Sequence, residues 1–127
     1  GLDDFAISTH REDYGDKVPE GVVVLTAGAD CQADRIEIEV VGWGRDEETW
    51  SIDFRTFYGD PNSANVWAEL DEYLAQTWMR EDGVKLAIKG TCIDSGGHHT
   101  QSVYRFCKPR LGKRVFAIKG IGGEGKA

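Results

Sequence analysis

Three features are scarce in this sequence of 127 residues, and each scarcity argues against a class of protein. No run approaches the roughly 18 apolar residues that a membrane-spanning helix needs, and no signal-peptide pattern opens the chain, so a soluble intracellular protein is expected. The three cysteines are widely spaced and form no CxxC pair, which argues against a disulfide framework or a zinc site. Positive charge is also in deficit. The formal net charge of −7 argues against a generally basic, DNA-coating protein.

The hydrophobic pattern predicts five strands and two helices in the order β-β-β-α-β-α-β. The near-continuous apolar run at 22–29 is typical of a strand that is covered on both faces. Two strands with alternating patterns follow, and short polar turns join the three into an antiparallel meander. The predicted elements are strands at 22–29, 35–40 and 49–58, a helix that begins near Ser63, reaches Trp78 and ends by Gly83, a strand at 86–93, a helix at 100–108 and a strand at 114–118.

The connections between these elements predict the order of the strands in the sheet. The helical crossover after the third strand is long enough to bring the fourth strand back parallel to the first. The two most apolar strands then lie at the centre of a mixed five-stranded α/β sheet of order 3-2-1-4-5, flanked by helices. The chain is expected to divide into a polar arm or linker at 1–18 and one domain at 19–127 that is truncated at its C-terminus.

Two aspartates stand where the central strands end, Asp30 after the first and Asp94 after the fourth. If these strands are parallel neighbours, their ends lie about 5 Å apart, and both carboxylates can reach one divalent cation. Hard carboxylate oxygens suit Mg²⁺ or Mn²⁺, and ligands of open α/β sheets bind beyond the carboxyl ends of the strands. The alternative is that each aspartate only caps a turn, since aspartate is common where strands end.

Five local motifs give the sequence a resemblance to a known family. They are LTAGADCQ at 25–32, DRIE at 34–37, VVGWG at 40–44, IDSGGHHTQ at 93–101 and VFAIKG at 115–120. Together these motifs resemble the nuclease domain of the large terminase subunit of lambda-like tailed phages and prophages, the terminase GpA family, and the resemblance covers most of residues 18–123. The order of strands and helices is similar to that of the ribonuclease H-like (RNase H-like) nucleases and integrases.

The resemblance implies a metal-dependent DNA endonuclease that cuts concatemeric double-stranded DNA during packaging, by two-metal-ion hydrolysis in the host cytoplasm. Its implied cofactors are two Mg²⁺ or Mn²⁺ ions, with Asp30 and Asp94 as catalytic metal ligands. Its implied partners are double-stranded DNA, an ATPase domain in the full chain, the terminase small subunit and the portal, with no membrane. The negative net charge does not exclude such an enzyme, because carboxylates around a cation count as negative only while the metal is ignored.

A nuclease of this type is expected to have a third acid, and here the sequence departs from the pattern. In related nucleases the third acid comes from a segment after the last strand, where Glu124 is the only acid in this chain. Asp53 and Asp34 are the other candidates, and both are expected to face solvent. The isolated domain is therefore expected to bind metal weakly.

The segment after Asp94 is a candidate phosphate contact. Gly96 and Gly97 let the backbone pass close to the metal and to DNA, and N–H groups at the start of the next helix can hold a phosphate beside His98 or His99. Alternatively, the histidines are polar residues that enter a helix. The candidate non-specific contacts to the DNA backbone are Lys89, Arg105, Arg114 and Lys119, although charge on such faces is usually only solvated.

A second phosphate-binding motif is rejected, and two functions remain. Residues 120–126 match the spacing of a P-loop, but Ala127 stands where serine or threonine should hold Mg²⁺, and no helix follows within the chain. The leading hypothesis is the two-metal endonuclease. The alternative is a catalytically incomplete RNase H-like module that docks the packaging machinery or DNA, which the uncertain third acid and the net charge of −7 both favour.

Overall fold

The structure is a computed structural model, and it describes residues 17–119. No helix in this part of the chain is long and apolar enough to cross a membrane. The elements are β1 (Val24–Cys31), β2 (Arg35–Trp43), β3 (Thr49–Tyr58), α1 (Ala64–Leu74), β4 (Thr77–Met79), β5 (Lys85–Asp94), α2 (Thr100–Cys107), a 3-10 helix (Lys108–Lys113) and β6 (Val115–Ile118).

The six strands form one mixed sheet. Its continuous path runs β3-β2-β1-β5-β4, and β6 pairs with the second half of β5. Strands β1 to β3 form the predicted antiparallel meander. Strands β1 and β5 are adjacent and parallel, with residues 25–30 beside residues 88–94, as the crossover argument predicts.

The sheet differs from the predicted five-stranded order because Thr77–Met79 forms an edge strand instead of the end of a long helix. Helix α1 ends at Leu74, and Trp78 then pairs with Leu86 across an antiparallel hairpin. Gly83, at φ +92°, belongs to the turn of this hairpin. The order 3-2-1-4-5 is therefore wrong for the sheet as a whole because it omits this edge strand, although each pairing that it contains is present. Threonine and tryptophan suit a half-buried pleated surface, and strand pairing overrides their helical spacing.

Both helices contribute to one core on one face of the sheet. Val66 and Leu70 of α1 and Val103 of α2 are buried, and the rings of Trp67 and Phe106 join the helices with their centroids 4.9 Å apart. Alternate side chains of the strands complete this core: Leu25, Ala27, Ala29, Cys31, Ile36, Ile38, Val40, Ile93 and Val115.

We call the opposite side of the sheet the open face, because its side chains are half-buried or exposed in the described part of the chain. The prediction that the first strand is covered on both faces is therefore wrong for β1. Its alternate residues Thr26 and Asp30 are half-buried and Gly28 is exposed. The apolar run misled because small residues such as alanine and glycine suit either environment. The open face also carries Trp43, Cys92, Phe116 and Ile118, each exposed.

The segment before β1 is fastened to the β4 hairpin. The Val18 side chain is 1% exposed, its N–H donates to Met79 O at 2.7 Å, and its carbonyl accepts from Glu81 N–H at 2.9 Å. The Arg80 guanidinium donates to Val22 O at 2.8 Å. Residues 18–22 therefore pack with the hairpin. The division of the chain at residues 18 and 19 stays a prediction, and residues 1–16 lie outside the described part.

Candidate metal centre

Asp30 and Asp94 lie side by side at the C-terminal ends of two parallel strands. They are register partners on β1 and β5, so both carboxylates are on the open face. Strands that pair in this way are about 5 Å apart. The structure therefore brings together the two aspartates that the sequence singles out, and their role as metal ligands stays a prediction.

One oxygen of each carboxylate accepts a hydrogen bond from a local donor. The Gln32 side-chain amide donates to Asp30 Oδ2. The Gly96 backbone N–H donates to Asp94 Oδ1 at 2.9 Å. Within residues 17–119 no hydrogen bond or ion pair falls on Asp30 Oδ1 or Asp94 Oδ2. The arrangement leaves one oxygen of each aspartate for a ligand.

The electrostatics at Asp30 favour a cation. Burial raises the pKa of Asp30 above its usual value, the hydrogen bond from Gln32 opposes the shift, and the charges of Asp94 and Glu37 add to it. Glu37 is the register partner of Asp30 on β2, and its carboxylate accepts from Arg35 Nε at 2.9 Å. A cation that binds between two carboxylates in a partly desolvated site relieves the repulsion between them and so lowers the free energy of their charged forms. Their hard oxygens fit Mg²⁺ or Mn²⁺.

Asp30→Asn is expected to stabilise the domain in EDTA at pH 7. Because the folded-state pKa of Asp30 exceeds its unfolded value of about 3.9, the parent loses free energy of unfolding as pH rises between those two values, and the loss persists above them. Asparagine keeps an acceptor for Gln32 and removes the charge. Thermal unfolding should show a higher midpoint for the variant at pH 7 and a smaller difference near pH 3.5. An unchanged or lower midpoint at pH 7 would contradict this account of the site.

The described residues provide no complete third-acid site. Within residues 17–119 no three histidines, cysteines, aspartates or glutamates come together in a way that could hold a metal. Asp53 is 6% exposed and its carboxylate accepts from Tyr73 O–H at 2.7 Å, so the expectation that it faces solvent is wrong. Asp34 is exposed in the β1–β2 turn, as expected, and pairs with Arg35 at 2.8 Å. Glu124 lies outside the described residues.

The turn after β5 passes beside both aspartates. Gly96 has φ +61° and Gly97 has φ +80°, a region of backbone conformation that favours glycine. A Cβ atom at Gly96 would lie 3.0 Å from Cys31 O and 3.7 Å from Asp30 Oδ1. Because Gly96 has no side chain, the backbone of the turn can lie close to the carboxylates.

The two histidines after the turn have different surroundings. His98 is exposed, and its Cδ2 would lie 3.7 Å from a Cβ atom at Gly96. His99 places Nδ1 3.3 Å from Asn62 Oδ1 and Nε2 3.1 Å from Ala33 O. Because both partners are oxygen acceptors, a neutral ring donates to only one of them at a time. His98 therefore remains a candidate contact, whereas His99 links loops from three parts of the chain.

Sequence reasoning also missed a residue that contacts the site. Gln32 follows Asp30 by two residues, and its position in a short polar turn and in a family motif did not predict this contact. The feature of the sequence that could have predicted this contact is a long amide side chain in the turn directly after the aspartate. A residue at that spacing can fold back onto the end of its own strand.

The charge of the chain is distributed unevenly. The whole chain has 15 lysines and arginines against 22 aspartates and glutamates, yet residues 95–119 contain six lysines and arginines and no acidic residue. Within this segment Arg110 pairs with Asp71 at 2.8 Å and stacks on Phe106. The other five are exposed and have no ion pair with any residue in 17–119: Arg105, Lys108, Lys113, Arg114 and Lys119.

This basic segment reaches the aspartates through β6. Ile118 is the register partner of Asp94, and Ser95 N–H donates to its carbonyl at 3.4 Å. Lys119 therefore follows directly on the strand end that adjoins Asp94. The P-loop-like residues 120–126 lie outside the described part of the chain.

Two comparisons with known proteins point to the same family. The family described as "Terminase large subunit gpA, endonuclease domain" matches residues 1–127. The large terminase subunit of Escherichia phage lambda is 37% identical over 120 residues, which are 94% of this chain and 19% of that protein. The large terminase subunit of Enterobacteria phage P21 is 34% identical over 113 residues, which are 89% of this chain and 18% of that protein. The chain thus spans about a fifth of the length of these relatives.

Among solved structures, the PPX-GPPA enzyme of Aquifex aeolicus superposes with a TM-score of 0.44 and 11% sequence identity. The match covers 76% of this chain and 36% of that chain. A likeness this weak carries no argument about fold or function.

Proposed function

Because the chain belongs to the family of terminase large subunit gpA endonuclease domains, we propose that it is an RNase H-like, metal-dependent nuclease that cuts concatemeric double-stranded DNA during phage packaging. The observation that supports this proposal most is the placement of Asp30 and Asp94 as partners on adjacent parallel strands. The proposed reaction is phosphodiester hydrolysis with two Mg²⁺ or Mn²⁺ ions and no protein nucleophile. Its setting is the host cytoplasm, and its partners in the longer protein are the ATPase domain, the terminase small subunit and the portal.

The residues of the site have distinct parts in this proposal. Asp30 and Asp94 would hold the cation, since each has one carboxylate oxygen that Gln32 or Gly96 leaves unbonded. Mg²⁺ or Mn²⁺ bound there supplies Lewis acidity toward the phosphodiester and lowers the pKa of water. The turn at Gly96 lets a phosphate approach the carboxylates, and exposed His98 can donate to it or carry a proton. Burial raises the pKa of the neighbouring Cys31 thiol to about 11, so this thiol stays protonated and is no nucleophile at neutral pH.

A plasmid-nicking assay tests the proposed activity. The parent domain should convert supercoiled plasmid to nicked or linear DNA in Mn²⁺, and excess EDTA should stop the reaction. The alternative, an RNase H-like docking module without autonomous catalysis, is favoured because no three acids, histidines or cysteines within residues 17–119 come together in a way that could hold a metal. That alternative predicts duplex binding with no cleavage in either metal.

The basic segment is the proposed contact for the DNA backbone. Lysine and arginine that pair with phosphates release counterions from the duplex, so the affinity of such a contact falls as salt rises. Residues 105–119 carry exposed cations without partners in the described part of the chain, and the segment ends beside Asp94. A duplex lying along α2 and β6 would therefore reach the carboxylates despite the net charge of −7.

Lys108→Ala, Lys113→Ala and Arg114→Ala, combined in one variant, are expected to weaken duplex binding in EDTA. Each lost phosphate contact should reduce the slope of log K against log salt by about 0.9. The measurement is fluorescence anisotropy with a labelled duplex at several salt concentrations. The matched control removes three exposed cations elsewhere, Lys17, Arg45 and Lys85. Equal affinity and slope in both triple variants would exclude the basic segment as the DNA contact.

A further inference from the structure

We propose that Gln32 is a positioning residue that holds the Asp30 carboxylate in the orientation that binds the cation. The proposal rests on the proposed function, because it assumes that Asp30 is a metal ligand. It assigns a task to a side chain that is neither a ligand nor an acid or base. The contact that carries it is the hydrogen bond from the Gln32 amide to Asp30 Oδ2.

The backbone of Gln32 is fixed independently of its side chain. Its N–H donates to Arg35 O at 2.8 Å and closes the turn between β1 and β2. Cys31, just before it, is fully buried in the core. Gln32 itself is half-buried, and its side chain folds back over the end of β1. A substitution of the side chain should therefore leave the hairpin in place and remove only the contact to Asp30.

The hydrogen bond limits the rotation of a carboxylate that has no other donor in the described part of the chain. The bond occupies Oδ2, which leaves Oδ1 for the cation. An amide suits this task because it donates a hydrogen bond without a charge of its own, and so it does not compete with the cation. Asp94 receives the matching restraint from the Gly96 backbone N–H at 2.9 Å. Of the two restraints, only the one from Gln32 can be removed by changing a side chain.

Loss of such an outer partner typically costs about 10–100-fold in metal affinity or activity. Gln32→Met keeps the length of the side chain and removes the donor. Its affinity for Mn²⁺, measured by calorimetric titration of the domain, should fall by about 10–100-fold. Nicking should recover when Mn²⁺ is raised in proportion, because the ligand itself is intact. Gln101→Leu, at an exposed position on α2, is the matched control and should bind Mn²⁺ as the parent does.

The controls separate failure of this role from failure of the site. If Asp30→Asn loses Mn²⁺ binding while Gln32→Met retains the parent affinity, the positioning role is overturned and the metal site stands. If Asp30→Asn binds Mn²⁺ as the parent does, the site itself is misplaced and both proposals fall.

Thermal unfolding in EDTA reports whether Gln32→Met is folded, and Gln32→Glu, a closer isostere without the donor, replaces it if it is not. Weaker binding in Gln32→Glu supports the role. Equal or tighter binding overturns it, and tighter binding would make residue 32 a ligand.

Discussion

Asparagine at position 30 or position 94 is expected to reduce Mn²⁺-dependent plasmid nicking by more than about 100-fold. The reason is that each change removes a charged oxygen from the cation, whereas even an outer-shell change costs about 10–100-fold. Asp30 and Asp94 are register partners, so each variant should be as damaging as the other. The measurement is the initial rate of nicking at saturating plasmid, with Mn²⁺ binding followed in parallel by calorimetry.

Asp34→Asn is the matched control for these variants. Asp34 is exposed in the neighbouring turn, and its carboxylate pairs with Arg35. This variant should nick plasmid at the parent rate. Parent-like cleavage by Asp30→Asn and Asp94→Asn would place the active site elsewhere. A parent that binds duplex but never cleaves would support the docking module instead.

Gly96→Val is expected to leave the domain folded, lower its thermal midpoint by several degrees and abolish most nicking. The φ of +61° at Gly96 disfavours a β-branched residue, and a Cβ atom there would lie 3.0 Å from Cys31 O. A residue held in such a conformation costs about 1–3 kcal/mol, less than the total stability of a typical domain. Any shift that relieves the contact would move the N–H that donates to Asp94 and would disturb the space beside Asp30.

Gly112→Val is the comparison variant for this prediction. A Cβ atom at Gly112 would meet no atom within 4 Å, and the position lies in the 3-10 helix away from the aspartates. It should leave both the midpoint and the nicking rate close to those of the parent. A Gly96→Val protein with parent stability and parent activity would reduce the turn to a flexible connector and remove it from the site.

The central part of the fold could be predicted because its signals are local and strong. The apolar runs that became β1 and β5 are separated by a long crossover, and a right-handed parallel connection leaves few arrangements. The β4 strand could not be predicted in the same way. Trp78 lies four residues after Leu74, as on one face of a helix, and is buried between exposed neighbours, as in a strand. Only its pairing with Leu86 decides between helix and strand.

The candidate site, like the fold, could be predicted only in part. The placement of Asp30 beside Asp94 could be inferred from strand order, whereas contacts between loops could not. His99 reaches Asn62 across 37 positions of sequence and Ala33 across 66. Burial of Asp53 likewise depends on Tyr73 from a different element, which strand alternation alone does not reveal. The contacts of His99 and the burial of Asp53 depend on segments that are distant in sequence, so only the tertiary structure reveals them.

The parallel course of β1, β5 and β6 determines how the domain would carry mechanical load. The chain enters β1 at one end of the sheet and leaves β6 at the other, beside Asp94. Tension applied between residues 17 and 119 would therefore pull along the strands, and the hydrogen bonds of the β1–β5 and β5–β6 ladders would resist together in shear instead of opening one at a time. The hydrogen bonds from Arg80 to Val22 and from Val18 to Met79 also hold the segment before β1, where the force would be applied. The strand that bears Asp30 would then be held in register with its neighbour under a pulling force that would unzip a simple hairpin.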